Sequence, residues 1–187
     1  PGRNPHYTKE EIEEHLCEYL GVEKVIWVKD GIDPDETNGH IDGVATYVAP
    51  GEVACIWTDD ESHPYYQVAR DAYETLSNAV DAKGRKLKIH KLCMGANPIA
   101  LDEEAAATID MVETAKERTT DYEVMGSYLN FLIVNGGVIV PQYDDPNDAL
   151  AIEQIQAMFP DREIVGVNTT QILYGGGNIH CITQQEP

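Results

Sequence analysis

Residues 43–58, GVATYVAPGEVACIWT, decide the fold, because two apolar, β-branched runs flank a Pro50-Gly51 turn. This pattern predicts a pair of strands. Residues with helical periodicity and then another apolar run follow, which predict a helix and a third strand. The predicted elements, in chain order, are strands at Gly43–Val48 and Val53–Thr58, a helix at about Tyr65–Val80 and a strand at Lys86–Lys91. The sequence therefore predicts a strand–strand–helix–strand unit.

The same pattern occurs again further along the chain. Its predicted elements are strands at Ser127–Asn135 and Val138–Pro141 around a Gly136-Gly137 turn, a helix at about Asn147–Phe159 and a strand at Glu163–Val167. A third copy is predicted to begin with a strand at Asn178–Ile182. Repetition of this kind predicts a repeat architecture. His40, Asp42 and Cys181 fall at the beginnings of units, which could converge on one central point.

Other segments add elements around these units. Thr8 and Glu11 form a capping box, which predicts a helix at Lys9–Leu20 that ends at Gly21. The apolar run Lys24–Val28 predicts a short strand, and the Ala- and Glu-rich segment Asp102–Arg118 predicts an extra helix. No stretch is typical of a linker, so we expect one domain or part of one.

Composition limits the possible partners. The chain of 187 residues has a net charge of −20, from 13 basic and 33 acidic side chains. Such a surface repels phosphate backbones, which argues against nucleic acid, and it would attract a small cation. The alternative is that the charge mainly keeps the protein soluble. We see no apolar run of about 20 residues, as a membrane helix requires, and no secretory leader. The four cysteines form no C-x-x-C or zinc pattern, so we expect no metal, and reduced thiols in a cytoplasm.

Cys181 is a candidate nucleophile. It lies in GGGNIHCITQQ, residues 175–185, a polar setting preceded by three glycines that allow close backbone approach. A structural role for this cysteine stays open from position alone. In a strand, adjacent side chains point to opposite faces, so His180 would be a poor partner for the thiol. A catalytic cysteine would then need a histidine from elsewhere in the chain.

His40 is the best remote partner. It lies in DETNGHID, residues 35–42. If this segment is extended, the His40 and Asp42 side chains share a face with Glu36. Carboxylates around one imidazole and one thiol suit a planar guanidinium, whose N–H groups they bind in bidentate fashion. A solvated acidic loop is the alternative. A metal site from His40, Asp42 and His63 matches no ligand pattern, and the motif order of known Cys/His proteases is absent.

These motifs together resemble the agmatine deiminase family of the pentein superfamily. The similar stretches are GRNP (2–5), EKVIW (23–27), DETNGHID (35–42), WTDD (57–60), SYLNF (127–131), NGGVIVPQ (135–142) and GGGNIHCITQQ (175–185). They run through nearly the whole chain. The resemblance implies an α/β fold, a five-bladed propeller of ββαβ repeats around a central site. Residues 1–187 would form the C-terminal part of a single catalytic domain.

The resemblance also implies roles for particular residues. Cys181 would attack the guanidinium carbon and His40 would act as acid and base. Asp42 would hold the guanidinium nitrogens. The expected substrate-binding residues are Glu36, Asn130, which is similar to a polar residue of related bacterial peptidylarginine deiminases, and Gly177. Agmatine would be hydrolysed to N-carbamoylputrescine and ammonia, a step towards putrescine, without metal or organic cofactor.

Two departures from the family pattern matter. The W-x-R-D segment that supplies a further guanidinium-binding Asp upstream of GRNP is absent, so we expect a missing N-terminal half as partner and an isolated chain that is inactive. Met125-Gly126 replace a small pair, usually Ala-Ala, which puts the substrate in question. Two alternatives stay open: a deiminase of peptidyl or free arginine, and a non-catalytic module of the same fold. No Arg lies in the site motifs, which favours agmatine. Family members often form homo-oligomers.

Overall fold

Two strand–strand–helix–strand units form the framework of the protein. The computed structural model describes residues 4–32, 39–108 and 119–186. The first unit contains β1 (Ala45–Ala49), β2 (Glu52–Trp57), α2 (Tyr66–Asn78) and β3 (Lys88–Cys93). The second contains β6 (Leu132–Val134), β7 (Gly137–Gln142), α4 (Asp148–Met158) and β8 (Glu163–Asn168). The predicted repeat is therefore confirmed.

Each unit folds into a three-stranded sheet with the same topology. A tight turn makes β1 and β2 antiparallel, and the helix crossover makes β2 and β3 parallel. In the second unit β6 and β7 are antiparallel, and β7 and β8 are parallel. The registers begin at equivalent places, with Glu52 opposite Lys88 and Gly137 opposite Glu163. The middle strand of each sheet is the most buried, which explains its continuous apolar sequence.

One hydrophobic core joins the two units. Ala54 and Ile56 of β2 pack in the same buried cluster as Val138 and Val140 of β7. Helix α4 packs against β3 as well as β8. The backbone N–H of Cys93 also donates to Gln154 Oε1 of α4 at 2.8 Å. The starts of the two units are therefore held in a fixed relation to each other.

Smaller elements surround this framework. The helix α1 (Lys9–Leu20) has the predicted capping box and ends at Gly21 in the left-handed conformation. Strands β4 (Ile99–Ala100) and β5 (Glu123–Val124) form a two-stranded antiparallel sheet. The helix α3 (Glu103–Thr108) confirms the start of the predicted helix, whose residues 109–118 lie outside the described part of the chain. A last short helix, α5, spans Thr170–Leu173. None of the helices in the described ranges combines the length and apolar character needed to cross a bilayer.

Three predicted strands were wrong or too long. The segment Lys24–Val28 is not a strand, although Ile26 and Val28 pack partly buried against the core. Strand β6 begins at Leu132 rather than Ser127, because the backbone N–H of Asn130 bonds to Ser127 O in a turn. The predicted strand Asn178–Ile182 is also a turn, with the N–H of Ile182 donating to Asn178 O at 3.1 Å.

Candidate active site

A cavity of about 140 Å³ lies where the segments that precede the two units meet the end of the chain. Five residues singled out from the sequence line it: His40, Asp42, Asn130, Gly177 and Cys181. Glu36 lies outside the described residues. The remaining wall includes Tyr65, Tyr122, Glu123, Met125, Ser127 and Tyr143. The segments around His40 and Cys181, far apart in sequence, therefore share one cavity, as predicted.

His40 and Asp42 are carried by a tight turn before β1. His40 has extended backbone angles, and Ile41–Gly43 form one turn of 3₁₀ helix. The expectation that His40 to Asp42 are all extended was therefore wrong. Gly43 is buried, and its carbonyl accepts a hydrogen bond from Ser127 Oγ at 2.8 Å. This bond ties the turn that carries Asp42 to the segment that carries Asn130.

Cys181 lies in a turn built by Asn178. The buried Asn178 side chain accepts a bond from the N–H of Ile179 at 2.8 Å through its Oδ1. Further along, Thr183 Oγ1 donates to Ile179 O at 2.7 Å. The turn removes the alternation of a strand, so the adjacent side chains of His180 and Cys181 both reach Asp42. The prediction that His180 points away was wrong for this reason.

Asn130 holds the cysteine turn in place. Its Oδ1 accepts the N–H of Cys181 at 3.3 Å, and its backbone carbonyl accepts the N–H of His180 at 3.1 Å. Its Nδ2 donates to Asp42 Oδ2 at 2.9 Å and to Cys181 Sγ at 3.2 Å. The backbone donor fixes which side of the amide is oxygen. Asn130 thus joins the thiol to the carboxylate.

Three donors converge on one oxygen of Asp42. Oδ2 accepts from Asn130 Nδ2, from His180 Nδ1 at 3.0 Å and from Cys181 Sγ at 3.1 Å. Burial favours the neutral acid, but the hydrogen bonds from Cys181, His180 and Asn130 outweigh it and lower the pKa of Asp42. The carboxylate is therefore ionised at neutral pH. None of these three bonds uses Oδ1.

The thiol of Cys181 is protonated at rest. Partial burial raises its pKa, and the Asp42 carboxylate raises it further, against hydrogen bonds from Asn178 and Asn130 that lower it. A protonated thiol is the donor that the contact with Asp42 requires. The thiol becomes nucleophilic when a base removes its proton or when a cation neutralises Asp42.

Two glycines shape the wall around the thiol. A Cβ on Gly177 would lie 2.9 Å from Cys181 Cβ and 3.3 Å from Sγ, so only glycine leaves room for this side chain. A Cβ on Gly126 would lie 2.5 Å from the Tyr143 ring. The departure at Met125-Gly126 therefore lets Tyr143 approach closely, where its hydroxyl donates to Ser127 O at 3.2 Å. Met125 itself lines the cavity.

Sequence reasoning missed three residues of the site. His180 was discounted because a strand was predicted. Glu123 lies in a two-residue strand with no motif of its own. Tyr143 lies one residue beyond the quoted motif at residues 135–142, after the end of β7, and its position after a strand was the available signal.

The cluster also offers metal ligands. The ligand atoms of Asp42, His180 and Cys181 lie within 4.8 Å of one another, a donor set that a soft divalent cation such as Zn²⁺ accepts. Hydrogen bonds to Asp42 Oδ2 already join these atoms. The observed geometry is accounted for by the protonated thiol and imidazole N–H.

Comparison with known proteins identifies the family of the chain. The model of the Porphyromonas-type peptidyl-arginine deiminase family matches residues 1–187. The chain belongs to this family. A protein of Streptococcus mutans is 63% identical over 187 residues, which are 100% of this chain and 50% of that protein. The agmatine deiminase of Pseudomonas fluorescens is 49% identical over 185 residues, which are 99% of this chain and 50% of the relative.

A solved structure of this family confirms the α/β deiminase fold. The agmatine deiminase of Enterococcus faecalis superimposes with a TM-score of 0.94 at 57% identity, over 100% of this chain and 50% of the other. The chain thus spans about half the length of the relatives it matches.

Proposed function

We propose that this chain forms the C-terminal half of an agmatine deiminase, with Cys181 as nucleophile and His40 as acid and base. The observation that supports this most strongly is the convergence of the Cys181 thiol and the Asp42 carboxylate, 3.1 Å apart, in a cavity that His40 also lines. The relatives named agmatine deiminase support the reaction. Asp42, Asn130 and Gly177 would hold and shape the guanidinium site.

The chemistry begins when a guanidinium cation binds Asp42. Its positive charge offsets the carboxylate that raises the pKa of the Cys181 thiol, so the thiol transfers its proton to His40 and becomes a thiolate. The thiolate attacks the central carbon and forms a C–S bond. His40 donates a proton to one nitrogen, the C–N bond breaks, and ammonia leaves.

Hydrolysis completes the cycle. His40, now the base, removes a proton from water, which attacks the S-linked thiouronium carbon. The C–S bond then breaks, the Cys181 thiolate leaves, and a urea is released. Agmatine and water thus yield N-carbamoylputrescine and ammonia, and every step uses side chains alone.

Charge in the cavity favours agmatine over arginine. Among the described residues that line the cavity, the ionisable acids are Asp42 and Glu123, and none is Lys or Arg. An arginine carboxylate would need a cationic partner, whereas the free amine of agmatine would find an acid. Glu36, which was expected to bind the substrate, is one candidate for that role, and Glu123 is a second. Peptidyl or free arginine is the competing substrate class.

The rest of the protein would complete the site. The relatives are about twice as long as this chain. Exposed apolar side chains flank the two reactive groups, with Ile41 beside Asp42 at 55% exposure and Ile182 beside Cys181 at 64%. We propose that the other half of the polypeptide covers these two side chains. We expect the 187-residue chain alone to be inactive and the full-length polypeptide to be active.

The cellular setting follows from the thiol. A nucleophilic cysteine must stay reduced, which the cytoplasm provides. The product carries a carbamoyl group on one end of putrescine, so the reaction supplies a precursor of that diamine. We place the enzyme in the cytoplasm, in putrescine biosynthesis.

Ammonia release tests the proposal. The full-length polypeptide would be assayed with agmatine, L-arginine and a blocked arginine amide, with Cys181→Ser as control. The expected result is turnover of agmatine that the substitution abolishes, and kcat/KM at least about tenfold lower for the other two, the loss of one charged contact. A preference for blocked arginine would establish the competing activity. If none of the three substrates is turned over, the remaining alternative is a non-catalytic module of the same fold.

A further inference from the structure

A histidine outside the cavity contacts the carboxylate inside it. His180 Nδ1 lies 3.0 Å from Asp42 Oδ2. Asp42 lines the cavity, whereas His180 is not among the described residues that do. The His180 side chain is 49% exposed, against 16% for Asp42. The imidazole therefore contacts the carboxylate from outside the described lining of the cavity.

The proton in this contact belongs to the histidine. The lowered pKa of Asp42 keeps the carboxylate ionised, and an ionised carboxylate only accepts. Nδ1 must then carry a hydrogen, whether the ring is neutral or charged. The bond direction is therefore independent of the charge on His180.

This contact restricts the orientation of the carboxylate. His180 on one segment and Asn130 on another both donate to Oδ2, so rotation of the carboxyl group would break both bonds. None of the side-chain hydrogen bonds found among the described residues uses Oδ1, so this oxygen is the one offered to a guanidinium N–H. We propose that His180 is a positioning residue for guanidinium hydrolysis, which holds Asp42 so that Oδ1 receives the substrate. This inference rests on the proposed function.

The same bond modifies the field at the thiol. Asp42 raises the pKa of Cys181, and an N–H donated by His180 offsets part of the charge on Asp42. Among the described titratable groups, Asp42 contacts the thiol directly and His180 contacts Asp42. His40, Tyr65, Tyr122, Glu123 and Tyr143 line the cavity around them. Loss of the His180 imidazole leaves the charge of the Asp42 carboxylate less neutralised, so the Cys181 thiol becomes harder to ionise.

Two substitutions in the full-length polypeptide separate positioning from other roles. His180→Ala removes the donor, and His180→Asn keeps an N–H near the position of Nδ1. We expect His180→Ala to lower kcat/KM for agmatine by about 10- to 100-fold, the usual effect of removing an orienting partner. We expect His180→Asn to recover most of that loss. In the Ala variant, the pH midpoint of Cys181 alkylation by iodoacetamide should move upwards.

A matched pair elsewhere gives the control. His90 Nε2 lies 2.7 Å from Glu52 Oε2 in the first sheet, away from the cavity, so His90→Ala removes a similar contact. It should leave both kcat/KM and the alkylation midpoint unchanged. The inference is overturned if His180→Ala also changes neither quantity. It is equally overturned if His180→Asn loses as much as His180→Ala, because the ring would then act by itself.

The two readouts keep this inference apart from the proposed function. If the wild-type protein releases no ammonia from agmatine, the proposed function fails, and so does the role of His180 in that reaction. The alkylation midpoint needs no substrate and still reports whether His180 holds Asp42. A thermal melt of each variant identifies any loss of activity that comes from unfolding.

Discussion

The Sγ atom of Cys181 lies 3.1 Å from Oδ2 of Asp42, a contact between residues 139 positions apart in the chain. The two residues come from turns that a shared core holds in a fixed relation. Ser127 and Asn130 lie between the two sheets in the sequence. Ser127 bonds to the turn that carries Asp42, and Asn130 bonds to the turn that carries Cys181. This contact is the centre of the proposed chemistry.

Gly177→Ala should disable the thiol without unfolding the protein. The new Cβ would lie 2.9 Å from Cys181 Cβ, so the cysteine side chain must move. Because a displacement of about 1 Å can cost about 100-fold in rate, we expect a drop of at least about tenfold in kcat. Gly95→Ala is the matched control, since its Cβ would meet nothing closer than 3.6 Å. Equal kcat in the two variants would contradict the role of Gly177.

Asn130→Asp should impair catalysis through charge. It replaces the donor to Asp42 and Cys181 by a second carboxylate, which disfavours the thiolate. An unpaired buried group costs about 1–3 kcal/mol, so kcat/KM should fall by at least about tenfold. Asn147→Asp adds the same charge at the start of α4, where it should have no effect on kcat/KM. If both variants lose activity alike, overall charge and not this contact is responsible.

Glu123→Gln tests which acid receives the far end of agmatine. If Glu123 pairs with the amine, KM for agmatine should rise about tenfold, the effect of losing one charged hydrogen bond, while butylguanidine, which lacks the amine, is unaffected. The comparison of the two substrates cancels general damage to the site. An equal effect on both would exclude Glu123, and the same pair of measurements on Glu36→Gln would then test the predicted residue.

The reactivity of Cys181 should depend on pH in a defined direction. Its pKa is raised, so alkylation by iodoacetamide should be half-maximal above about pH 8.5, the ordinary thiol value. Asp42→Asn removes one cause and should move the midpoint to lower pH. Cys55 and Cys93, whose pKa values burial raises to about 12, should stay unmodified there and serve as internal references. An unchanged midpoint in Asp42→Asn would show that the carboxylate does not act on the thiol.

The shifted pKa values of Asp42 and Cys181 make the stability of the fold depend on pH in opposite directions. The lowered pKa of Asp42 contributes stability above its unfolded pKa of about 3.9, and that contribution is lost as pH falls through the folded value. The raised pKa of Cys181 contributes stability below the unfolded thiol pKa, which is lost as pH rises through the folded value.

Local signals in the sequence were enough for the framework. The capping box at Thr8 and Glu11 predicted the start of α1 and Gly21 predicted its end, because both signals depend only on nearby residues. The apolar runs around Pro50-Gly51 predicted β1 and β2 to within two residues at each end, since those strands pair with each other. Lys24–Val28 is also rich in apolar, β-branched residues, yet it is not a strand. Strand pairing depends on a neighbouring strand, which the composition of a segment does not specify.

The sequence selected residues that share one cavity, but it did not predict their geometry. Cys181, His40 and Asp42 were singled out, and they do line one cavity. The contact between His180 and Asp42 could not be predicted, because the apolar residues Ile179 and Ile182 favour a strand and the buried Asn178 side chain, bonded to the backbone N–H of Ile179, helps to form a turn.

Mass spectrometry of the covalent intermediate tests the central claim most directly. The full-length polypeptide would be incubated with agmatine and quenched, or treated with a haloacetamidine, then digested and mapped. The account predicts an adduct on Cys181 that disappears in Cys181→Ser. An adduct on any other cysteine, with Cys181 unmodified in an active preparation, would contradict it.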